Sequence, residues 1–368
     1  MNVPLLDLNA QYDVLLDDIR KEFEKVFASH KYILGPQVKE LEEKISVYCE
    51  AKYAIGCASG TDALVLALKA LEIEKDDEVI TTPFTFFATA GSIHRVGANP
   101  VFADIDPETF NIDADQIEAV ITSKTKAIMV VHLFGQPADM DKITAIARKN
   151  DLPIIEDNAQ GIGARFDNKV AGTIGDIGTL SFFPSKNLGA MGDGGMCLTN
   201  DEKLAEKLKQ LRVHGENPKY FHKWVGLNSR LDTLQAAVLL TKLPHLESWS
   251  EARRQNAKYY YENMNDIPQI KLPVIHKKAK SIYNQFTLIA ENRDELQNFL
   301  REKNIGCAVY YPKPLHIQEC FSYLNYKEGD LPVSEEMSKK VISIPIYSEI
   351  SKKQQDYVIE TIKEFYLK

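Results

Sequence analysis

Residues 179–196 read TLSFFPSKNLGAMGDGGM. Leu180 to Phe183 is an apolar, strand-like run. Lys186 comes just after it, beyond Pro184 and Ser185, and Gly189, Gly192, Gly194 and Gly195 follow the lysine. An ammonium at the end of a buried strand is costly, because burial disfavours the charged form and lowers its pKa. A neutral amine held there can attack a carbonyl carbon and form a Schiff base. Glycines let the backbone turn tightly and approach a ligand closely. The alternative is a surface lysine in a flexible loop, and the flanking SFFP and GDGG weigh against it.

Working outward, residues 152–160, LPIIEDNAQ, predict a short buried strand ending in carboxylates. Ligands of open α/β sheets collect at the carboxyl ends of strands, so Asp157 is placed to face a site. An N-cap aspartate would satisfy the same residue equally well. A lysine and a buried acid together suit pyridoxal phosphate. The lysine forms the Schiff base, and the acid keeps the pyridine nitrogen protonated so that the ring acts as an electron sink. The phosphate needs a cradle, and Ala58 to Leu64, ASGTDAL, offers one. It follows the strand-like Tyr53 to Cys57 and opens an apolar-periodic helix through Ala63, Leu64, Ala67, Leu68 and Leu71. Backbone N–H groups at such a start bind anions. An ordinary N-cap by Ser59 or Thr61 is the plainer reading.

Strand-like runs at Glu78 to Thr82, Pro100 to Ala103, Lys126 to His132 and Leu152 to Glu156 alternate with helical patterns such as Ile143 to Arg148. This predicts an α/β fold, a mostly parallel sheet with helices on both faces. Val38, Leu41, Ile45 and Tyr48 have helical spacing, with Pro36 suited to the first turn. From Thr233 to about Asn263 runs a helical stretch broken near Pro244. Beyond it, strands are expected at Ile282 to Ala290 and Cys307 to Tyr311, and helices around Glu295 to Glu302 and Lys352 to Phe365. The expected organisation is a large cofactor-binding α/β domain over residues 1–245 and a smaller C-terminal α+β domain over residues 246–368.

The chain has 368 residues, 44% hydrophobic and 26% charged, with a formal net charge of -8. These are ordinary values for a soluble globular protein, and the charge gives no hint of nucleic-acid binding. No apolar run approaches the ~20 residues that cross a membrane, and the stretch MNVPLLDLNAQYDVLLDDIRKEF has neither a basic n-region nor a cleavable apolar segment, so no secretory leader is expected there. Five cysteines and eight histidines show no metal-ligand spacing, so no metal is expected. Reduced thiols and a cytoplasmic location are the simple expectation.

SGTDAL (59–64), PFTFFATA (83–90), EDNAQ (156–160), SFFPSKNLGAMGDGG and GLNSRLDTLQAA (226–237) occur in this order. With them, the chain resembles the DegT/DnrJ/EryC1/StrS family of pyridoxal phosphate-dependent sugar aminotransferases from LLDL near its start to VISIPIY near its end. The resemblance implies the fold type I aminotransferase architecture, a homodimer with shared active sites, and transfer of an amino group from L-glutamate to a nucleotide-linked keto-sugar. It further implies that Lys186 is the Schiff-base lysine and proton shuttle, and that Asp157 partners the pyridine nitrogen. Gln160 bonds the ring oxygen, and Phe86 stacks on the ring. Gly60, Thr61, Asp62 and Ser181 lie at the phosphate, and Asn228 reaches the phosphate from the other subunit.

SFFPSKNLG with GDGG is more similar to members acting at C3 of the hexose than to those acting at C4. Tyr310-Tyr311-Pro312-Lys313-Pro314-Leu315-His316 resembles a substrate-side segment of the C3 group. Tyr310, Tyr311 and His316 are therefore expected in the sugar pocket, with a strand end and aromatic core contacts as the alternative. Lys219, His222, Lys223 and Arg230 could meet the nucleotide's negative charge, or simply form a solvated face. A dTDP-linked 3-keto-6-deoxyhexose is the first expectation for substrate; a UDP-linked 3-keto-uronic acid or a 4-keto-sugar is the alternative. Lys186 argues against the related sugar dehydratases, which carry histidine there. A non-catalytic binding or regulatory protein is the competing class.

Overall fold

The computed structural model describes residues 1–367. Its centre is a seven-stranded sheet built from β1 (Tyr53–Cys57), β2 (Glu78–Thr81), β3 (Asn99–Phe102), β4 (Thr125–Val131), β5 (Ile154–Asp157), β8 (Ile177–Ser181) and β9 (Gly195–Thr199). The spatial order is β1-β9-β8-β5-β4-β2-β3. β9 alone runs against its neighbours, pairing antiparallel with both β1 and β8. The other adjacent pairs are parallel. A small sheet joins β6 (Arg165–Phe166), β7 (Lys169–Val170) and β11 (Ala279–Lys280), and a third joins β10 (Ile270–Lys271), β12 (Phe286–Ala290) and β13 (Val341–Ile344).

β4 and β5 are apolar almost throughout because helices cover both faces of the sheet, as parallel sheets require. Ile155, Ile177, Met129 and Ala127 pack on the helix Gly60–Ala70. Ile128, Val130 and Ile154 face Ile143 and Ala147 of the helix Met140–Lys149. The helix Pro36–Tyr48 forms as its spacing predicts, burying Val38, Leu41 and Ile45. The helix Thr233–Lys242 passes through a short turn at Leu243–His245, with Pro244 in its first turn, into the helix Leu246–Met264. That helix buries Ala257, Tyr260 and Met264 against Phe286, Leu288, Ile342 and Ile344 of the third sheet. Val3 joins the same cluster.

Three strand expectations shift. The run at Leu180 to Phe183 is a strand only as far as Ser181, because β8 begins earlier, at Ile177. Phe182 and Phe183 already belong to the loop that carries Lys186. The run at Ile282 to Ala290 is a strand only from Phe286 onward. Cys307 to Tyr311 is not a strand; only Ala308 bridges to Ser343 of β13. β9 is hidden in the sequence by the glycine-rich GDGG that leads into it. No helix among the described residues is long and apolar enough to cross a membrane, and no metal-binding cluster of side chains occurs among them.

Candidate active site

The parallel strands all end on one side of the sheet, and a cavity of about 450 Å³ opens there. Its walls come from residues just past those ends: Ser59 and Gly60 after β1, Thr85 and Phe86 after β2, Val131 and Asp157 closing β4 and β5, and Ser181 and Lys186 at and after β8. The register explains why they meet. Cys57 and Ser181 both pair with Gly195, and Asp157 pairs with both Val131 and Thr179.

At the cavity's β1 side, the Ser59 side chain caps the helix Gly60–Ala70, accepting from the Asp62 N–H at 3.0 Å. This leaves the other amides of the first turn for a ligand. The cradle is built for close approach. A Cβ on Gly60 would stand 2.7 Å from Ser181 Cβ, and one on Gly195 would stand 2.2 Å from the Ser59 carbonyl oxygen. Gly195→Ala is therefore expected to wedge β9 from the helix start. It should destabilise the fold by about 1–3 kcal/mol and weaken phosphate retention. A denaturant melt of the variant that overlays the wild type would contradict the close packing.

Asp157 is buried at the end of β5. Thr89 Oγ1 donates to its carboxylate at 2.8 Å and the Ala159 N–H donates at 3.3 Å. Thr85 and Thr89 hydroxyls share a hydrogen bond of 3.1 Å. Burial pushes the Asp157 pKa up, and Thr89, the Ala159 amide and the nearby Lys186 restrain the rise. The adjacent Glu156 faces a different task. The Ala138 N–H donates to His132 Nδ1 at 3.2 Å, so His132 Nε2 carries the proton and donates to Glu156 at 2.7 Å. Glu156 also accepts from the amides of Gly172, Ile174 and Gly175. Burial would raise its pKa, but these bonds outweigh that and hold it below the usual carboxylate range. Glu156 thus ties a loop to the sheet, while Asp157 keeps lone pairs free for the cavity.

Lys186 is hemmed in by protein and opens only partly, along the cavity. Burial lowers its pKa to about 8, with Asp157 pulling the other way. Its Nζ makes no hydrogen bond among the described residues. Gln160 is fixed at both ends: the Phe134 N–H donates to its Oε1 at 2.6 Å, and its Nε2 donates to the Tyr311 hydroxyl at 3.3 Å. Phe86 lines the cavity with 59% of its surface exposed.

The structure brings Lys186, Asp157, Gln160, Gly60, Thr61, Ser181, Phe86, Tyr310 and Tyr311 to one cavity. Asp62 sits in the first turn of the helix beneath it. His316 does not line it. It is buried, bonds Glu335 at 3.0 Å and packs edge-on to Phe102 and Tyr326. This is the aromatic core contact, because the chain turns inward at Leu315. Asn228 is exposed, and neither it nor Arg230 lines this chain's own cavity. Sequence reasoning misses Thr85 and Thr89; their spacing of four residues within PFTFFATA is the available signal. Ser185 and Asp193, also lining the cavity, lie inside SFFPSKNLGAMGDGG, whereas Gln285 carries no such signal.

These residues fit pyridoxal phosphate. An amine without a partner, an acid with free lone pairs, and a cradle that a side chain would fill are what its aldehyde, ring nitrogen and phosphate need.

The model of the DegT/DnrJ/EryC1/StrS aminotransferase family matches residues 14–363. The chain is 52% identical to a pleiotropic regulatory protein of Geobacillus stearothermophilus, covering 100% of this chain and 99% of that one. It is 43% identical to the UDP-N-acetyl-3-dehydro-alpha-D-glucosamine 3-aminotransferase of Acidithiobacillus ferrooxidans (96% and 95% covered). It is 42% identical to the dTDP-3-amino-3,6-dideoxy-alpha-D-galactopyranose transaminase of Aneurinibacillus thermoaerophilus (99% of each). Among solved structures, S. venezuelae DesV in complex with a ketimine intermediate superposes with a TM-score of 0.98 at 38% identity, covering 100% of this chain and 99% of that one. With a fold, a cavity and a sequence that agree along the chain, it belongs to the DegT/DnrJ/EryC1/StrS aminotransferase family and is a pyridoxal phosphate-dependent aminotransferase.

Proposed function

We propose that this enzyme moves an amino group from L-glutamate to C3 of a nucleotide-linked keto-hexose. A dTDP-linked 3-keto-6-deoxyhexose is the first choice, and a UDP-linked 3-keto sugar the second. The observation that carries the reading is the partnerless Lys186 amine beside buried Asp157, in a chain whose named relatives make 3-amino sugars on both nucleotides. A purely regulatory role, suggested by one relative's name, is not favoured by a cavity furnished for amine chemistry.

When bound, pyridoxal phosphate supplies an aldehyde for amines and a ring that takes up charge from the carbon bearing the nitrogen. Lys186 Nζ is the nucleophile that holds the cofactor and, once free, the base that moves the proton at the donor's Cα. Asp157 holds a proton on the ring nitrogen. Gln160 bonds the ring oxygen, and Phe86 covers one ring face. The Gly60 and Thr61 amides and Ser181 Oγ hold the phosphate. Tyr310 and Tyr311 orient the sugar.

Asn228 reaches the phosphate of the partner's site, and Arg230, Lys219, His222 and Lys223 lie on the path of the nucleotide. Exposed Tyr220, Phe221 and Val225 beside them, at 77%, 69% and 86%, suit a surface that a second copy covers. The working unit is therefore a homodimer. The division at residues 245/246 separates its cofactor-binding and C-terminal domains. The cysteines are free thiols, consistent with a cytoplasmic enzyme.

Mixing Lys186→Ala chains with chains altered at Asn228, each inactive alone, is expected to restore activity, because one site of the hybrid keeps both residues. No rescue in hybrids that demonstrably form would contradict shared sites. The lowered Lys186 pKa gives a second expectation. Below pH ~8 the amine is mostly protonated, and each further unit removes about tenfold of the neutral form. Capture of added cofactor by the apoprotein, followed by its visible absorbance, should slow by about that factor per unit below pH ~8 and level off above ~9. A flat profile across this range would contradict a buried, near-neutral amine.

A further inference from the structure

Arg253 is a buried cation that the reading above leaves unused. It lies midway along the helix Leu246–Met264 and is 5% exposed. Its Nη1 donates to the carbonyls of Ile346 at 2.8 Å, Tyr283 at 3.1 Å and Asn284 at 3.4 Å. Nε and Nη2 make no hydrogen bond among the described residues, yet neither is sealed from space. No carboxylate of the described residues lies within ion-pair distance, and Glu349 acts only from farther away. A guanidinium offers five N–H donors, and a buried charge without a counter-charge is costly.

The space Arg253 faces is a second cavity of about 50 Å³. That is several times the room one water needs. Ser185, Gln285 and Tyr310 line both this cavity and the main one, and Ser185 directly precedes Lys186. Gln285 buries its Oε1 without a hydrogen-bond partner among the described residues, and its side chain lies between the two cavities. Leu5 and Leu6 give the small cavity an apolar wall. A cationic fork with one free edge, a side-chain amide and an apolar flank make a pocket for a carboxylate on a short methylene chain.

We propose that Arg253 anchors a carboxylate of the amino donor and selects dicarboxylic amino acids. The proposal rests on the aminotransferase reading above, but not on the identity of the sugar. Nη1 is committed to backbone carbonyls, so the free edge formed by Nε and Nη2 receives the carboxylate in a bidentate pair. The donor's amine is thereby brought toward Lys186 across Ser185 and Gln285.

Glutarate, a dicarboxylate without an amine, is the probe. Calorimetric titration of the cofactor-loaded protein is expected to show glutarate binding, and Arg253→Lys and Arg253→Gln to weaken it by about tenfold or more. Butyrate should bind wild type at least about tenfold more weakly than glutarate does. In a glutamate half-reaction followed by the cofactor's absorbance, the half-saturating glutamate concentration should rise in parallel while the saturating rate falls far less. Should the Arg253 variants fail to fold, Gln285→Glu, which sets a negative charge between the cavities, must weaken glutarate in the same way. Wild-type glutarate affinity in a folded Arg253→Lys protein, or no glutarate binding by wild type, would overturn the proposal. A protein that reacts with glutamate through an Arg253-dependent step yet leaves every keto-sugar untouched would sink the sugar reading and leave the anchor standing.

Discussion

Lys186→Ala is expected to yield a folded protein that lacks the visible band of covalently held cofactor and whose transamination falls by ~10⁴-fold or more. The estimate follows from what the side chain does twice. It is the nucleophile, and a positioned base alone contributes about 10²–10⁴-fold. Nothing in the cavity replaces it. Asp157 is acidic, the tyrosine hydroxyls are pushed to higher pKa by burial, and Lys242 is elsewhere, donating to the Gly189 carbonyl at 2.6 Å. The fold should survive, because Nζ makes no hydrogen bond that the substitution would orphan, and removing a buried ammonium relieves a desolvation cost. Turnover within about tenfold of wild type would contradict the role.

Asp157→Asn is expected to retain the cofactor but to slow proton removal from the donor's Cα by about a hundredfold or more, within the range one positioned proton contributes. Asparagine keeps the shape; its single carbonyl oxygen can accept from the Ala159 N–H, and its amide can donate to the Thr89 hydroxyl in place of the bond Asp157 accepts there. It cannot hold a positive ring nitrogen against deprotonation. The effect should appear in single turnovers with glutamate, with little change in melting. Thr89→Val, which removes the hydroxyl that steers the Asp157 carboxylate, should act in the same direction and less strongly. An unchanged single-turnover rate in Asp157→Asn would assign the ring nitrogen to another acid.

Much of this architecture is legible in the chain because local signals and global packing agree. A buried parallel strand must be apolar on both faces, so IIED stands out, and its carboxylates mark where the strand leaves the core. The helix at Pro36 carries both its first-turn proline and its buried stripe. Legibility fails where pairing is decided at a distance. β9 is entered through Gly194 and Gly195, which look like loop, because their missing side chains are set by Leu231 and Ser59 from other elements. The strand propensity around Cys307 to Tyr311 is overridden because only Ala308 finds a partner in β13. His316 looks like a pocket residue in sequence, yet Glu335, far along the chain, supplies the carboxylate that lets it be buried. Arg253 sits in a polar helical stretch, and nothing local marks it as a residue whose carbonyl partners come from two distant segments.

The central claim is amino transfer to C3 of a nucleotide-linked sugar. The most direct test is a panel of dTDP- and UDP-linked 3-keto- and 4-keto-sugars, each incubated with the cofactor-loaded enzyme and L-glutamate, with the product's amino position read by NMR. The expected product carries nitrogen at C3, with 2-oxoglutarate formed in equal amount. Nitrogen at C4, or turnover of glutamate with no sugar in the panel aminated, would contradict it.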